Sequence, residues 1–442
     1  MWYRRRSSAL TSACLLSVAL LATACTPVPP RQVVAPPGTR AEGTIEFWHF
    51  FTDREADAIQ QVVDRFHEKF PQVKVIVKAG QDDEKTTQAI AAGQGPDVAL
   101  SGTTDNVGKF CSTGAWQNLT PYLDRDHVDL SDIPRPVQDY TAYDGLRCAM
   151  PLLADAYGLY YNKRLFAAAG ISGPPKTLSE LTDDAERLTR RNPDGSIKVA
   201  GFDPLSGFYE NSVAHLAATA GATWLDGDGR AVLGTDPAWQ QLLTWQKGLI
   251  DFYGYEALQK FQSGFGDEGS ADNAWEKGQV AMNLDGEWRI ASIAADNPPG
   301  LDWGVAPMPV ADGKAATYGS GYVVGNVIGI SRNSRNAEAA WQFVKFLTTN
   351  TDSVVALANG IKNVPTLTSA LRSPDLTADT NFKVFLDIFA NPRSSTSPLS
   401  VNGTAYQDTA QNFVNSWQAG KVRNLGAGLR HLDDDINQAL DG

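Results

Sequence analysis

Short runs of contiguous apolar residues alternate along this chain with longer stretches in which apolar residues recur every three or four positions. Residues 44–48 and 73–77 and the apolar end of GQGPDVAL read as strands. Between them, 52–70 places Ala56, Ile59, Val62, Val63 and Phe66 on one helical face, and 86–92 reads as a shorter helix. This βαβαβ order predicts a parallel sheet with helices on both faces. The densest run is PLLADAYGLYY. Leu152-Leu153 and 157–161 read as one buried strand, stopped by Asn162-Lys163, with a helix over 164–169 that Gly170 ends. Asp155 sits inside that run. A carboxylate there must be paired, protonated or facing a cavity. Either it bonds nearby backbone, or the strand crosses between two lobes and Asp155 lines the crevice.

Further on, 178–191 is an expected helix closed by the turn 192–195, and 208–211 opens a helix through His215. Helices are expected over 237–253, with Trp239 and Trp245, and over 271–278, with Trp275. A strand over 279–284 is broken by Asp285-Gly286-Glu287-Trp288 before another helix. Residues 303–309 read as extended, and 318–330 and the Trp341 helix 337–348 close the apolar pattern. Ligands of parallel sheets sit beyond the carboxyl ends of the strands. The tips 48–51 and 101–105 therefore supply the candidates His49, Phe50, Thr103 and Asp105.

Length and charge narrow the picture. A chain of 442 residues exceeds one core, so two lobes are expected. The net charge of −12 falls to about −15 if the leader's Arg4, Arg5 and Arg6 are removed, which argues against nucleic acid as a partner. Residues 1–25 have a signal-peptide layout: a basic start, an apolar run over 9–22, then small residues before Cys25. LLATAC resembles a lipobox in which Cys25 would carry lipid, although Leu21 stands one place further from the cysteine than that pattern prefers. Residues 26–42, with five prolines, read as a tether. The expected location is extracytoplasmic, anchored to the cell membrane. Cys111 and Cys148 are then an even pair in an oxidising compartment and are expected to be bridged, two separate buried thiols being the alternative.

The segment from Asp155 through LYYNK resembles the hinge strand of family 1 extracellular solute-binding proteins, the sugar-capturing receptors of bacterial ABC importers. TIEFWHFF, GQGPDVAL, AMNLDGEWRIASI and GSGYVVGNVIGIS fall in that family's order. The resemblance runs from about Gly43 to the end. It implies an α/β, two-lobed periplasmic-binding-protein fold, each lobe a mainly parallel sheet flanked by helices, with the ligand cleft between lobes. It implies lobe 1 over 43–154 plus 313–368 and lobe 2 over 155–312 plus 369–442. It also implies a monomer whose partners are a small-molecule carbohydrate (sugar, oligosaccharide or polyol) and ABC permease subunits.

The ligand residues that follow are Asp155, Tyr157, the pair Phe208 and Tyr209, Glu287 with the ring of Trp288, and the Gly-rich loop Gly319, Ser320 and Tyr322. Aromatic faces take a sugar's C–H face, and carboxyls take its hydroxyls. Arg289 either pairs with Glu287 or offers a fork to a phosphate or carboxylate. The FWH segment resembles glycerol-phosphate binders of the family, so a glycerol phosphate or glycerophosphodiester is the alternative ligand. Enzyme signals are thin. No HExxH, GxxxxGK[ST], GxSxG or strand-borne GxGxxG occurs, and five scattered histidines set no metal spacing. No catalytic residue, metal or cofactor is expected. A glycoside hydrolase, with Asp155 and Glu287 paired across a bond, is the remaining alternative.

Overall fold

The computed structural model describes residues 40–441 except Ala271. The leader, Cys25 and most of the Pro-rich segment lie outside the described residues. Strand β1 (Gly43–Trp48) pairs in parallel with β2 (Val73–Lys78) and with β3 (Val98–Ser101), as the βαβαβ pattern predicts. Helix α1 (Asp53–Lys69) joins β1 to β2 and buries Ile59, Val62, Val63 and Phe66. Its Phe66 ring lies 5.0 Å from Phe343. Burying side chains of this size stabilises by about 1.5–3 kcal/mol each, which fixes the helix to the sheet.

The organising element is β4 (Met150–Asn162), buried at every position but one. After it come β5 (Arg190–Arg191), β6 (Ile197–Phe202), β7 (Val280–Gly286), β8 (Trp303–Pro307), β9 (Val323–Ile330) and β10 (Val364–Pro365). The order is β2-β1-β3-β9-β4-β7-β6-β5, with β8 and β10 also on β4. The first half of β4, to Ala156, pairs antiparallel with β9 and β10. Its second half, from Tyr157, pairs antiparallel with β7 and β8. One strand thus belongs to two sheets, and the change of partner falls beside Asp155. Parallel pairing returns between β6 and β7.

Two large cores lie on either side of that change. The first gathers residues from Ile45 to Leu153 and from Val327 to Ala370. The second gathers residues from Tyr157 to Val324 and, from the end of the chain, Tyr406 to Ile436. A third, smaller cluster around Ala154, Ala156, Tyr160 and Phe385 bridges the crossing. Helices α2 (Val213–Ala220), α3 (Arg289–Asp296) and α4 (Ala337–Thr349) flank the sheets. Helices α5 (Thr380–Ala390), α6 (Ala405–Gln418) and α7 (Leu425–Asp441) complete the chain. Trp341 of α4 is fully buried, and its indole donates to Asp126 at 2.8 Å.

Several expectations shift: the helix expected over 178–191 ends at Leu188, and the helix expected to open at 208–211 begins at Val213. The described part of 271–278 forms turns rather than a helix. The Asn273 side chain accepts from the backbone N–H of Trp275 and Glu276, an alternative to helical bonding. The strand expected to end at Leu284 continues to Gly286, because Asp285 and Gly286 pair with Gly158 and Tyr157. The break before α3 is therefore Glu287-Trp288 alone. The Cys111 and Cys148 sulfurs lie 2.03 Å apart, joining residues 37 apart in sequence. Among the described residues no helix is long and apolar enough to cross a membrane.

Candidate functional site

Where β4 passes from one sheet to the other, its next outward ring is Tyr157, and three more rings converge on it. His215 of α2 stacks against Tyr157 at 3.9 Å between centroids. Trp288 meets Tyr157 edge-on at 5.6 Å, and Tyr322 lies 5.7 Å away. His215 and Tyr322 are 4.9 Å apart. Local structure places each ring. Ser212 caps α2 by accepting from the His215 N–H, while Trp288 occupies the turn between β7 and α3. Gly286 leaves room for the indole: a Cβ there would stand 2.1 Å from the Trp288 ring.

Carboxyls surround this group. The Trp288 indole N–H donates to Glu268 at 3.0 Å. Burial, then Glu268, pushes the Glu210 carboxyl well above the usual range. Asp285 is raised for the same two leading reasons. Glu55, from the start of α1, is raised by burial and feels Glu268, so the two lobes bring acids toward each other here. His215 donates from Nδ1 to the Glu210 carbonyl at 2.5 Å, and burial lowers its pKa to about 4, so the ring is neutral at pH 7. A neutral imidazole bonded through Nδ1 keeps Nε2 as an acceptor. Beside Tyr322 opens a cavity of about 230 Å³ lined by Ala214, Ala218, Trp224, Leu225 and Thr396 among others.

The structure brings Tyr157, Trp288 and Tyr322 together, with half-buried Tyr209 nearby. The Tyr209 hydroxyl donates to the Gly266 carbonyl at 3.3 Å and accepts from the Ala274 N–H at 2.9 Å. Phe208 lies 4.3 Å from Tyr209 but is 5% exposed. In the first lobe, Phe50 and Thr103 are half-buried at the strand tips. Asp105 is buried: its backbone N–H donates to the Thr103 hydroxyl at 3.1 Å, and burial pushes its carboxyl up to about 6 against hydrogen bonds from Gln407 and Thr103. Gly319 has φ of 100° in its loop, and the Ser320 hydroxyl donates to Thr317.

Four further candidates are buried. His49 is fully buried between Phe47 and Phe51, at ring distances of 5.4 and 6.1 Å, and desolvation lowers its pKa to about 4. The alternation of β1 turns it inward, which the apolar Phe50-Phe51 neighbourhood obscures. Asp155 is 5% exposed and accepts from the amides of Asn326 and Asn363. Glu287 is fully buried and accepts from the Ala156 N–H at 2.9 Å. Arg289 pairs with neither Glu287 nor open space. Its guanidinium, 1% exposed, faces Glu276 at 3.0 Å and Asp285 at 3.7 Å, with angles off the hydrogen-bond line. Sequence reasoning missed His215, Glu210 and Glu268. Glu268 sits in the loop GFGDEGS, whose composition reads as solvent-exposed. Nothing in the sequence separates His215 from the other histidines.

A buried strand shared by two cores, with a ring cluster and carboxyls at the crossing, is the arrangement of a hinge-type solute binder. The pattern describing bacterial extracellular solute-binding proteins matches residues 52–352; the chain belongs to this family, which is made up of substrate-binding proteins. The maltotriose-binding protein of Pyrococcus abyssi is 26% identical over 341 residues, 76% of this chain and 69% of that one. The mannitol-binding protein of Pseudomonas aeruginosa is 28% identical over 273 residues, 58% of this chain and 57% of that one. The chain thus spans less than two thirds of the mannitol binder's length. Among solved structures, CpMnBP1 with mannotriose bound superposes with a TM-score of 0.79 at 25% identity, over 89% of this chain and 99% of that one. Maltose-bound MalE3 of T. maritima has a TM-score of 0.72 at 22% identity, over 90% of this chain and all of that one, a likeness of fold. The two-lobed α/β fold expected from the sequence is the fold observed.

Proposed function

We propose that this protein captures a carbohydrate between its lobes and delivers it to an ABC importer, without turnover. The observation that carries this reading is the ring cluster Tyr157, His215, Trp288 and Tyr322, flanked by carboxyls at the inter-sheet crossing. Rings take the sugar's C–H faces, and Glu210, Glu268 and the His215 Nε2 accept from its hydroxyls. Phe50 and Thr103 contribute from the first lobe. A neutral ligand fits better than a phosphorylated one. The arginines that act on these carboxyls are committed: Arg289 to Glu276 and Asp285, and Arg54 to Glu55 and the Ile361 carbonyl.

The lobes are assigned to 43–154 plus 313–368 and to 155–312 plus 369–442. The cores support a somewhat later return to the first lobe, between Val324 and Val327. We assign lipid anchoring to Cys25 and a stable bridge to Cys111–Cys148, both suited to an extracytoplasmic receptor. The working form is a monomer that closes around its ligand.

The test is a thermal-shift panel of sugars, oligosaccharides, polyols and glycerophosphodiesters on purified protein, followed by recovery of the tightest ligand. A neutral carbohydrate should give the largest shift and return intact. A preference for phosphodiesters, or release of smaller sugars, would refute the assignment.

A further inference from the structure

The side chains buried where the sheets meet form one network drawn from separate parts of the chain. Asp155 comes from β4, Glu287 from the turn just after β7, Asn326 from β9 and Asn363 from the residue before β10. The Asn363 amide nitrogen donates to Asp155 and, at 3.0 Å, to Glu287. Asn326 donates to the second Asp155 oxygen at 3.2 Å, and the second Glu287 oxygen accepts from the Ala156 N–H. None of these four residues is more than 5% exposed. β4 and β9 are two places where the chain passes between the cores, and β10 pairs with β4 beside them. One network therefore ties together two crossings, β10 and the turn that carries Trp288.

Its charge balance is unusual. The titratable groups that act on the pair include the acids Glu55 from α1, Glu210 from the segment before α2, and Tyr140, Tyr157 and Tyr160, with Arg54 paired to Glu55 and Arg289 acting on Tyr160. Two carboxyls that share one amide nitrogen, buried among further acids, cannot both ionise at moderate cost. One proton between them removes the repulsion and supplies a further hydrogen bond.

We propose that Asp155 and Glu287 are positioning residues for lobe closure that hold a single shared proton, and that this proton clasps the two crossing strands to β10 and the Trp288 turn in the closed arrangement. The inference rests on the two-lobed hinge, not on the identity of the ligand. Burial acts in the same sense, raising Asp155 to about 7 and Glu287 well above its usual range. Because the folded values lie above the unfolded ones, the clasp is complete below the unfolded carboxyl range and is lost as pH rises through about 7. Opening the hinge admits water, which solvates both charges and releases the proton.

Ligand-free wild type, Asp155→Asn and Glu287→Gln are to be compared from about pH 5 to about pH 8.5 by thermal melting and small-angle X-ray scattering. Relative to either amide variant, wild type should lose several degrees of melting temperature as pH rises. Its radius of gyration should grow over the same range while theirs stays level. Parallel melting curves in all three proteins would overturn the shared proton. A pH-linked melting difference with no change in radius would overturn its role in closure. If one variant fails to fold, the other carries the same comparison. Absence of carbohydrate binding would refute the function proposed above and leave this result standing.

Discussion

Gly286→Ala tests whether the position of the Trp288 ring sets affinity. Gly286 is not at positive φ, so its backbone tolerates alanine. The obstacle is the indole alone: the new Cβ would lie 2.1 to 2.5 Å from three ring carbons, against 3.4 Å for ordinary contact. The ring must therefore retreat by about 1.3 Å. That breaks its 3.0 Å hydrogen bond to Glu268 and its edge contact with Tyr157. A hydrogen bond to a charged group contributes about 1.5–3 kcal/mol and an aromatic pair about 0.5–1.5 kcal/mol. Relaxation recovers part of this, so a stability loss of about 1–3 kcal/mol is expected. A sugar stacked on the displaced face should lose about 2 kcal/mol, roughly 30-fold in Kd. Calorimetric titration with the strongest carbohydrate of the panel, beside melting of the empty protein, measures both. The double variant Gly286→Ala/Trp288→Ala should bind like Trp288→Ala alone, because no ring remains to be moved. Affinity within about twofold of wild type, despite a lowered melting temperature, would remove Trp288 from the binding surface.

Three further outcomes are expected. Cys148→Ser should lower stability by about 4 kcal/mol in the chain-entropy model, read from denaturant melts; two reactive thiols in unreduced wild type would contradict the bridge. Cys25→Ser should release the protein from membranes or leave an uncleaved precursor, and unchanged fractionation would end the lipid assignment. Asp126 is partly buried, yet Arg125, Lys345 and Trp341 hold its carboxyl below the usual range. Its stabilisation is present above the unfolded carboxyl range and lost as pH falls through the folded value. Asp126→Asn should therefore melt below wild type at neutral pH, with the gap starting to narrow only as pH falls below about 4.

The fold was legible where periodicity was strong. α1, the strand β4 and the helix Pro237–Tyr253 follow directly from apolar spacing. The Asn273 side chain could not be weighed in the same way, since only the folded geometry shows that it captures two backbone donors. The site was legible by residue type rather than by orientation. Trp288 and Tyr157 come together as their neighbourhoods suggest. Asp155, Glu287 and His49 have the chemistry of ligand contacts and are buried here, and only a strand's alternation and a turn's geometry decide which side a chain shows. Glu210, Glu268 and His215 join the site through contacts made across long sequence distances, and no local pattern encodes those.

The interleaving of the two cores bears on when such a chain can fold as it is made. The first core needs Val327 to Ala370 before it can close, and the second needs residues as late as Ile436. Neither half can therefore finish folding while most of the polypeptide is still being synthesised, and an early fragment has only part of a core to collapse around. The route of the chain through its own structure delays the first core until Ala370 and the second until α7 has been made.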